Sequence, residues 1–85
     1  MKIVLVEWRD IVGQFGWFSQ NQVDKFVTDN DEGVVQQVGF LYEEDEDQIV
    51  LLDSFFNKKD QFGTITKIPK GCVLKMTVLK NNPTK

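Results

Sequence analysis

The densest chemical feature of this 85-residue chain is five consecutive acids, Glu43-Glu44-Asp45-Glu46-Asp47. Paired carboxylates serve acid–base catalysis when a pocket drives their pKa values apart, and an acidic run in a turn offers no pocket. The chain has no histidine, so the commonest general base is absent and no Cys/His zinc set can form. The single Cys72 has no imidazole to activate it; lying just before an apolar strand, it reads as a buried, inert thiol. Asp29, Asp31 and Gly33 start like a calcium loop, but the fifth position from Asp29 is Gly33 and the sixth is Val34. That places glycine one residue too early. No Gly-rich phosphate loop and no G-x-S-x-G occurs, and the expectation is a chain without catalysis, cofactor or metal.

Recognition chemistry is better represented. Residues 24–53 hold ten acids and one lysine, whereas residues 54–85 hold seven lysines and one aspartate. This polarity suggests that the 43–47 run steers toward a basic partner surface, such as a nucleic-acid-binding one. The plainer reading, a solvated hairpin tip that keeps adjoining strands soluble, stands ahead of it. Trp8, Phe15, Trp17 and Phe18 cluster beside Gly13 and Gly16, where flat rings could stack on a peptide or a base. Core packing is favoured for Trp17, and more strongly for Trp8. Phe55 and Phe56 are adjacent in a strand beside Lys58 and Lys59, so one of the two should face solvent or a partner.

The elements that must position these residues follow from periodicity. Lys2–Arg9 is rich in β-branched residues and reads as a strand. Asp10–Gly16 is a loop. Ser19 and Gln22 have capping-box spacing, and Val23, Phe26 and Val27 form a two-turn apolar stripe. That helix ends in residues 28–33 and would need to pack its stripe against a sheet. Val34–Tyr42 and Gln48–Phe55 flank the acidic turn as a hairpin, with Val38, Phe40 and Tyr42 on one face. Phe62–Ile68 and Val73–Leu79 complete five strands, separated by a break at Pro69-Lys70-Gly71. The order β-α-β-β-β-β in one small domain, residues 1–80, suggests a bent antiparallel sheet closing into a barrel. Residues 81–85 read as a polar tail.

The run Ile65-Thr66-Lys67-Ile68-Pro69-Lys70-Gly71-Cys72-Val73-Leu74-Lys75-Met76 resembles the final strand pair of SH3-like and Sm-like barrels. There a strand ending in Ile-Pro is followed by one 3₁₀ turn and a last apolar strand. The whole chain also resembles a group of short phage-encoded proteins of unassigned role. The carriers are Val6-Glu7-Trp8 and Asp10, Gly16-Trp17, Val38-Gly39 and Leu41 before an acidic turn, then Ile68-Pro69-Lys70-Gly71. The resemblance implies a five-stranded SH3-like/Sm-like barrel and a phage setting, where accessory proteins bind host factors or blunt defence systems. It supplies no catalytic motif.

The leading expectation is therefore a non-enzymatic module that binds a host protein through Trp17, Phe18, Phe56 and Glu43, Glu44, Asp45, Glu46 and Asp47. The alternative is an oligomeric Sm-like assembly holding a nucleotide, a nucleotide-based signal or an RNA end, with Lys67, Lys70 and Lys75 on phosphate. A virion component is a third reading. The net charge of −3 argues against duplex nucleic acid. No apolar run approaches the ~20 residues of a membrane span, and the expected location is cytoplasmic, that of the host cell for a phage gene.

Overall fold

The computed structural model describes residues 1–11, 13–29 and 33–81. The elements run β1 (Lys2–Arg9), α1 (Gln20–Thr28), β2 (Val34–Glu44), β3 (Gln48–Phe55), β4 (Phe62–Pro69), a 3₁₀ turn (Lys70–Cys72) and β5 (Val73–Asn81). All pairings are antiparallel in one open sheet of order β4-β3-β2-β1-β5. The chain is thus mainly β, with one short helix after β1. Sequence periodicity places β1 and β3 at their observed bounds. Strands β2 and β5 run two residues further than expected, because ladder pairing continues to Glu44 opposite Ile49 and to Asn81 opposite Lys2. Pro69 ends an edge strand, where its missing N–H leaves no ladder bond unmade. The end of the helical stop at residues 30–32, including the Asp31 of the calcium-like spacing, and tail residues 82–85 lie outside the described residues.

Strand β2 serves two neighbours in succession. Val34–Leu41 pair with β1, while β3 pairs only with Phe40–Glu44. The two halves fold toward each other. Laid flat, β4 and β5 would stand four spacings apart, ~19 Å. Yet Ile68 of β4 joins Val4, Val6, Ile49 and Leu51 in one buried cluster, against which Val73 and Met76 of β5 also pack. Gly39 sits at this fold: a Cβ there would stand 3.1 Å from the Leu52 carbonyl oxygen and 3.4 Å from the Leu51 Cβ. Gln37 spans the inside, accepting from Trp8 Nε1 at 3.1 Å and donating to Thr66 Oγ1 at 3.3 Å. Trp8 packs on the core, as its strand position suggests.

The face assignment of β2 also holds in part. Gln37, Gly39 and Leu41 lie opposite Val6, Val4 and Lys2, on the inner side, and Val38 and Phe40 point away. A register shift between Leu41 and Glu43 takes Tyr42 out of the ladder. Alternation along β4 is interrupted at Thr64, whose φ of 36° is left-handed and strained for a β-branched residue. Ile68 is buried in the core, whereas Phe62 meets Tyr42 and Phe55 instead.

The helix departs from expectation. Its capping box forms as read: Ser19 N–H donates to Gln22 Oε1 at 2.8 Å, and Gln22 N–H to Ser19 Oγ at 3.3 Å. Its apolar stripe, however, does not pack against the sheet; no residue of α1 is buried, and Val23 and Val27 are exposed. Asp10 and Gly33 are joined backbone to backbone, so the chain leaves and re-enters the sheet at one corner, and the described residues between them, 11 and 13–29, form a projecting arm. The molecule measures 56 × 23 × 21 Å with a radius of gyration of 16.9 Å. A compact chain of this length would have ~12 Å.

Core and arm should respond differently to truncation. Ile49→Ala should lower unfolding free energy by about 3 kcal/mol, the cost of emptying a buried aliphatic site. Val27→Ala should change it by less than about 0.5 kcal/mol, since an exposed helical valine contributes little. Urea titration of both variants measures the contrast.

Candidate functional site

The acidic turn is a built structure. The Asp45 carboxylate accepts the N–H groups of Asp47 and Gln48 at 2.8 and 2.9 Å, and its own N–H donates to the Gln48 carbonyl at 3.0 Å. Short polar side chains favour such turns because they bond backbone two and three residues on. These donors, Asp47 first, then Gln48, hold the Asp45 carboxyl below the ordinary carboxylate range; the Lys70 charge adds to them. Lys70 fastens the turn from the other side. Its N–H donates to the Asp47 carbonyl at 2.8 Å, and its Nζ meets Glu44 Oε2 at 2.6 Å. Both side chains of that pair are over a third exposed, so its energy is small and its effect is on geometry. Of the five acids, Asp45 and Glu44 shape the turn, while Glu43, Glu46 and Asp47 present carboxylates to solvent.

Beside the turn runs a row of aromatic rings that sequence reasoning did not assemble. Phe40 and Phe55 meet edge to face at 5.0 Å, Tyr42 and Phe62 at 5.6 Å, and Phe55 and Phe62 at 6.5 Å. Such tilted pairs each contribute about 1 kcal/mol beyond their burial. Tyr42, released from the ladder next to Glu43, is 55 % exposed. The alternation of Phe40 and Tyr42 was a visible signal. Their meeting with Phe55 and Phe62, brought about by the fold of the sheet, was not.

The other expected contact residues lie elsewhere. Phe56 follows β3 and is exposed, with Lys59 Nζ 5.3 Å above its ring, while Phe55 is half-buried against Phe40 and Phe62. Strand β3 separates Phe56 from the acidic turn by eight residues, ~26 Å of contour. Trp17 and Phe18 belong to the arm, whose root at Trp8 pairs with Val73, three residues beyond the Lys70 that fastens the acidic turn. Trp17 is wholly exposed, against the expectation of core packing, because the helix-bearing arm does not fold back onto the core. Phe56 stands at the far end of β3 from the acidic run. The lysines proposed for phosphate are also dispersed: Lys67 is on one edge strand, Lys75 on the other, and Lys70 is engaged by Glu44.

Among the described residues no three Cys, Asp or Glu side chains are grouped to hold a metal, and no helix is long and apolar enough to cross a membrane. Cys72 is half-buried against the core. An open cavity of about 310 Å³ lies on the arm between Gln14, Phe18, Gln22, Lys25, Phe26 and Asp29. All its polar lining residues are exposed, unlike the converging polar groups of an enclosed ligand site. Comparison with protein-family models, with curated proteins and with solved structures returns no match.

The bonds to Asp45 have a pH signature. Because its folded pKa is depressed, the stability it contributes is full above the unfolded carboxylate value of about 3.9 and is lost as pH falls through the lower folded value. The difference in urea midpoint between the native chain and Asp45→Ala should be constant from pH 7 to about 5 and should shrink below about 4. Slowed amide exchange at Asp47 and Gln48 should disappear in the same variant.

Proposed function

We propose that this chain is a non-enzymatic binding module on a small SH3-like or Sm-like barrel, a phage accessory protein that binds a host protein through its acidic turn. The barrel reading is supported by a β1 flanked by β2 and β5, and by the 3₁₀ turn that joins the two edge strands. The phage setting is supported by the sequence resemblance. The observation that carries the binding reading is the fixed geometry of the turn beside an exposed aromatic. Asp45 and Lys70 lock the backbone, so Glu43, Glu46 and Asp47 are held in place next to Tyr42 and lose little entropy on contact.

Such a surface fits a basic partner face with an apolar centre. The carboxylates speed encounter and reject acidic surfaces, and Tyr42 with Phe62 supplies burial. A nucleic-acid-binding face of a host enzyme has this chemistry. The nucleotide-binding assembly has less support, since its three lysines do not converge.

Capture from bacterial lysate by the tagged full chain tests the reading. A variant carrying Glu43→Lys, Glu46→Lys and Asp47→Lys keeps the Asp45 bonds and should retain native circular dichroism. It should lose at least about tenfold in captured partner, as should Tyr42→Ser, the loss typical of a central aromatic contact. Unchanged capture by both variants would overturn the assignment of the turn.

A further inference from the structure

The arm has no role in the acidic-turn reading, and its exposure needs a different account. Phe15 and Trp17 are wholly exposed, and Ile11 and Val27 nearly so. A second apolar surface lies on β5, where Leu74, Val78 and Leu79 are about half exposed. Strand β5 is a sheet edge of nine residues without proline, glycine or acid; register shifts against β1 and the lysines Lys75 and Lys80 blunt its ladder, while its apolar side chains stay uncovered. The other edge, β4, is interrupted by Thr64 and ended by Pro69.

We infer that the chain assembles as a two-fold dimer in which each arm lies across β5 of the second copy. Three observations select a second copy as occupant. The first is charge. The described residues of the arm include the acids Asp10, Asp24 and Asp29 and one lysine, Lys25, whereas β5 carries Lys75 and Lys80 and no acid. The two apolar surfaces of one chain therefore have complementary borders. The second is position. Trp8 pairs with Val73, and Arg9 with Val34, so the arm is rooted beside the first residue of β5. A two-fold axis at that corner lays each arm along the other chain's β5, and every contact occurs twice, as closure requires.

The third is area. With ~150–250 Å² for each fully exposed aromatic, Phe15 and Trp17 give ~300–500 Å² per chain, and Ile11 and Val27 of the arm with Leu74, Val78 and Leu79 of β5 raise it toward ~800 Å². That is the per-partner area of a standard stable interface. The acidic turn lies near that corner, since Lys70, three residues before Val73, bonds Asp47 and Glu44, so the dimer and the proposed host contact share one end of the molecule but rest on different side chains.

Sedimentation equilibrium of the purified full chain at roughly 1–100 μM, a range that brackets ordinary dimer affinities, is the test. The expected species has twice the 9.8 kDa chain mass. Phe15→Ser with Trp17→Ser, and separately Leu74→Asp with Leu79→Asp, should each raise the dissociation constant by roughly 30-fold or more. Neither pair contains a buried residue, and unchanged thermal melts of the diluted proteins will establish that both variants fold. Tryptophan emission should shift to the blue as the dimer forms, and Trp17→Ser should abolish the shift. A monomer throughout, or a dimer indifferent to either pair of substitutions, would overturn the inference. Partner capture through the acidic turn does not enter this readout, so the two proposals fail separately.

Discussion

The bend of β2 is the constraint on which the remaining structure depends. One strand contributes its first half to a sheet with β1 and β5 and its second half to a sheet with β3 and β4. A chain of this size cannot cover both faces of a flat five-stranded sheet. Folding the sheet on itself lets one set of side chains fill a shared interior. Gly39 permits the approach of Leu52 at the fold, and Gln37 ties Trp8 to Thr66 across it. The shift at Tyr42 follows the same bend, since a bulge raises local twist and releases a residue from pairing.

The resulting core is small. The described residues include seven buried hydrophobics, four of them consecutive in β3, which is therefore covered on both faces. The helix and its flanking aromatics add nothing to that core. Local sequence suffices to form α1, because its capping box satisfies two backbone donors at the N-terminus. Yet nine residues of helix are marginal in water without a surface to lie on. The arm is thus locally well specified and globally unpartnered, which distinguishes it from a surface loop whose polar residues suit solvent.

Charge is distributed with similar economy. The acidic turn carries five like charges in succession, an arrangement that self-repulsion would spread. Two backbone donors to Asp45 and one lysine at Glu44 hold it in a single shape. Lys70 comes from the 3₁₀ turn between the two edge strands, so the link also ties the β4–β5 connection to the β2–β3 turn. The separation of acids and lysines along the chain is therefore partly resolved within the fold. The arm and β5 keep it outward.

Much of the fold was legible in the residues. Consecutive apolar runs located β1 and β3, alternation β2, β4 and β5, Ser19 and Gln22 the helix start, and Pro69 with Gly71 the break before β5, because these signals act within a few residues. That Trp8 packs against the core followed from its strand position, whereas Cys72, expected buried, is half-buried in the 3₁₀ turn. Tertiary structure alone decided that Trp17 is exposed, that Phe62 joins Tyr42, and that Phe56 lies at the far end of β3 from the acidic run. Each depends on how a bent sheet and a projecting arm are arranged in space. Periodicity specifies which face of an element is apolar; what that face meets is set by contacts between residues distant along the chain.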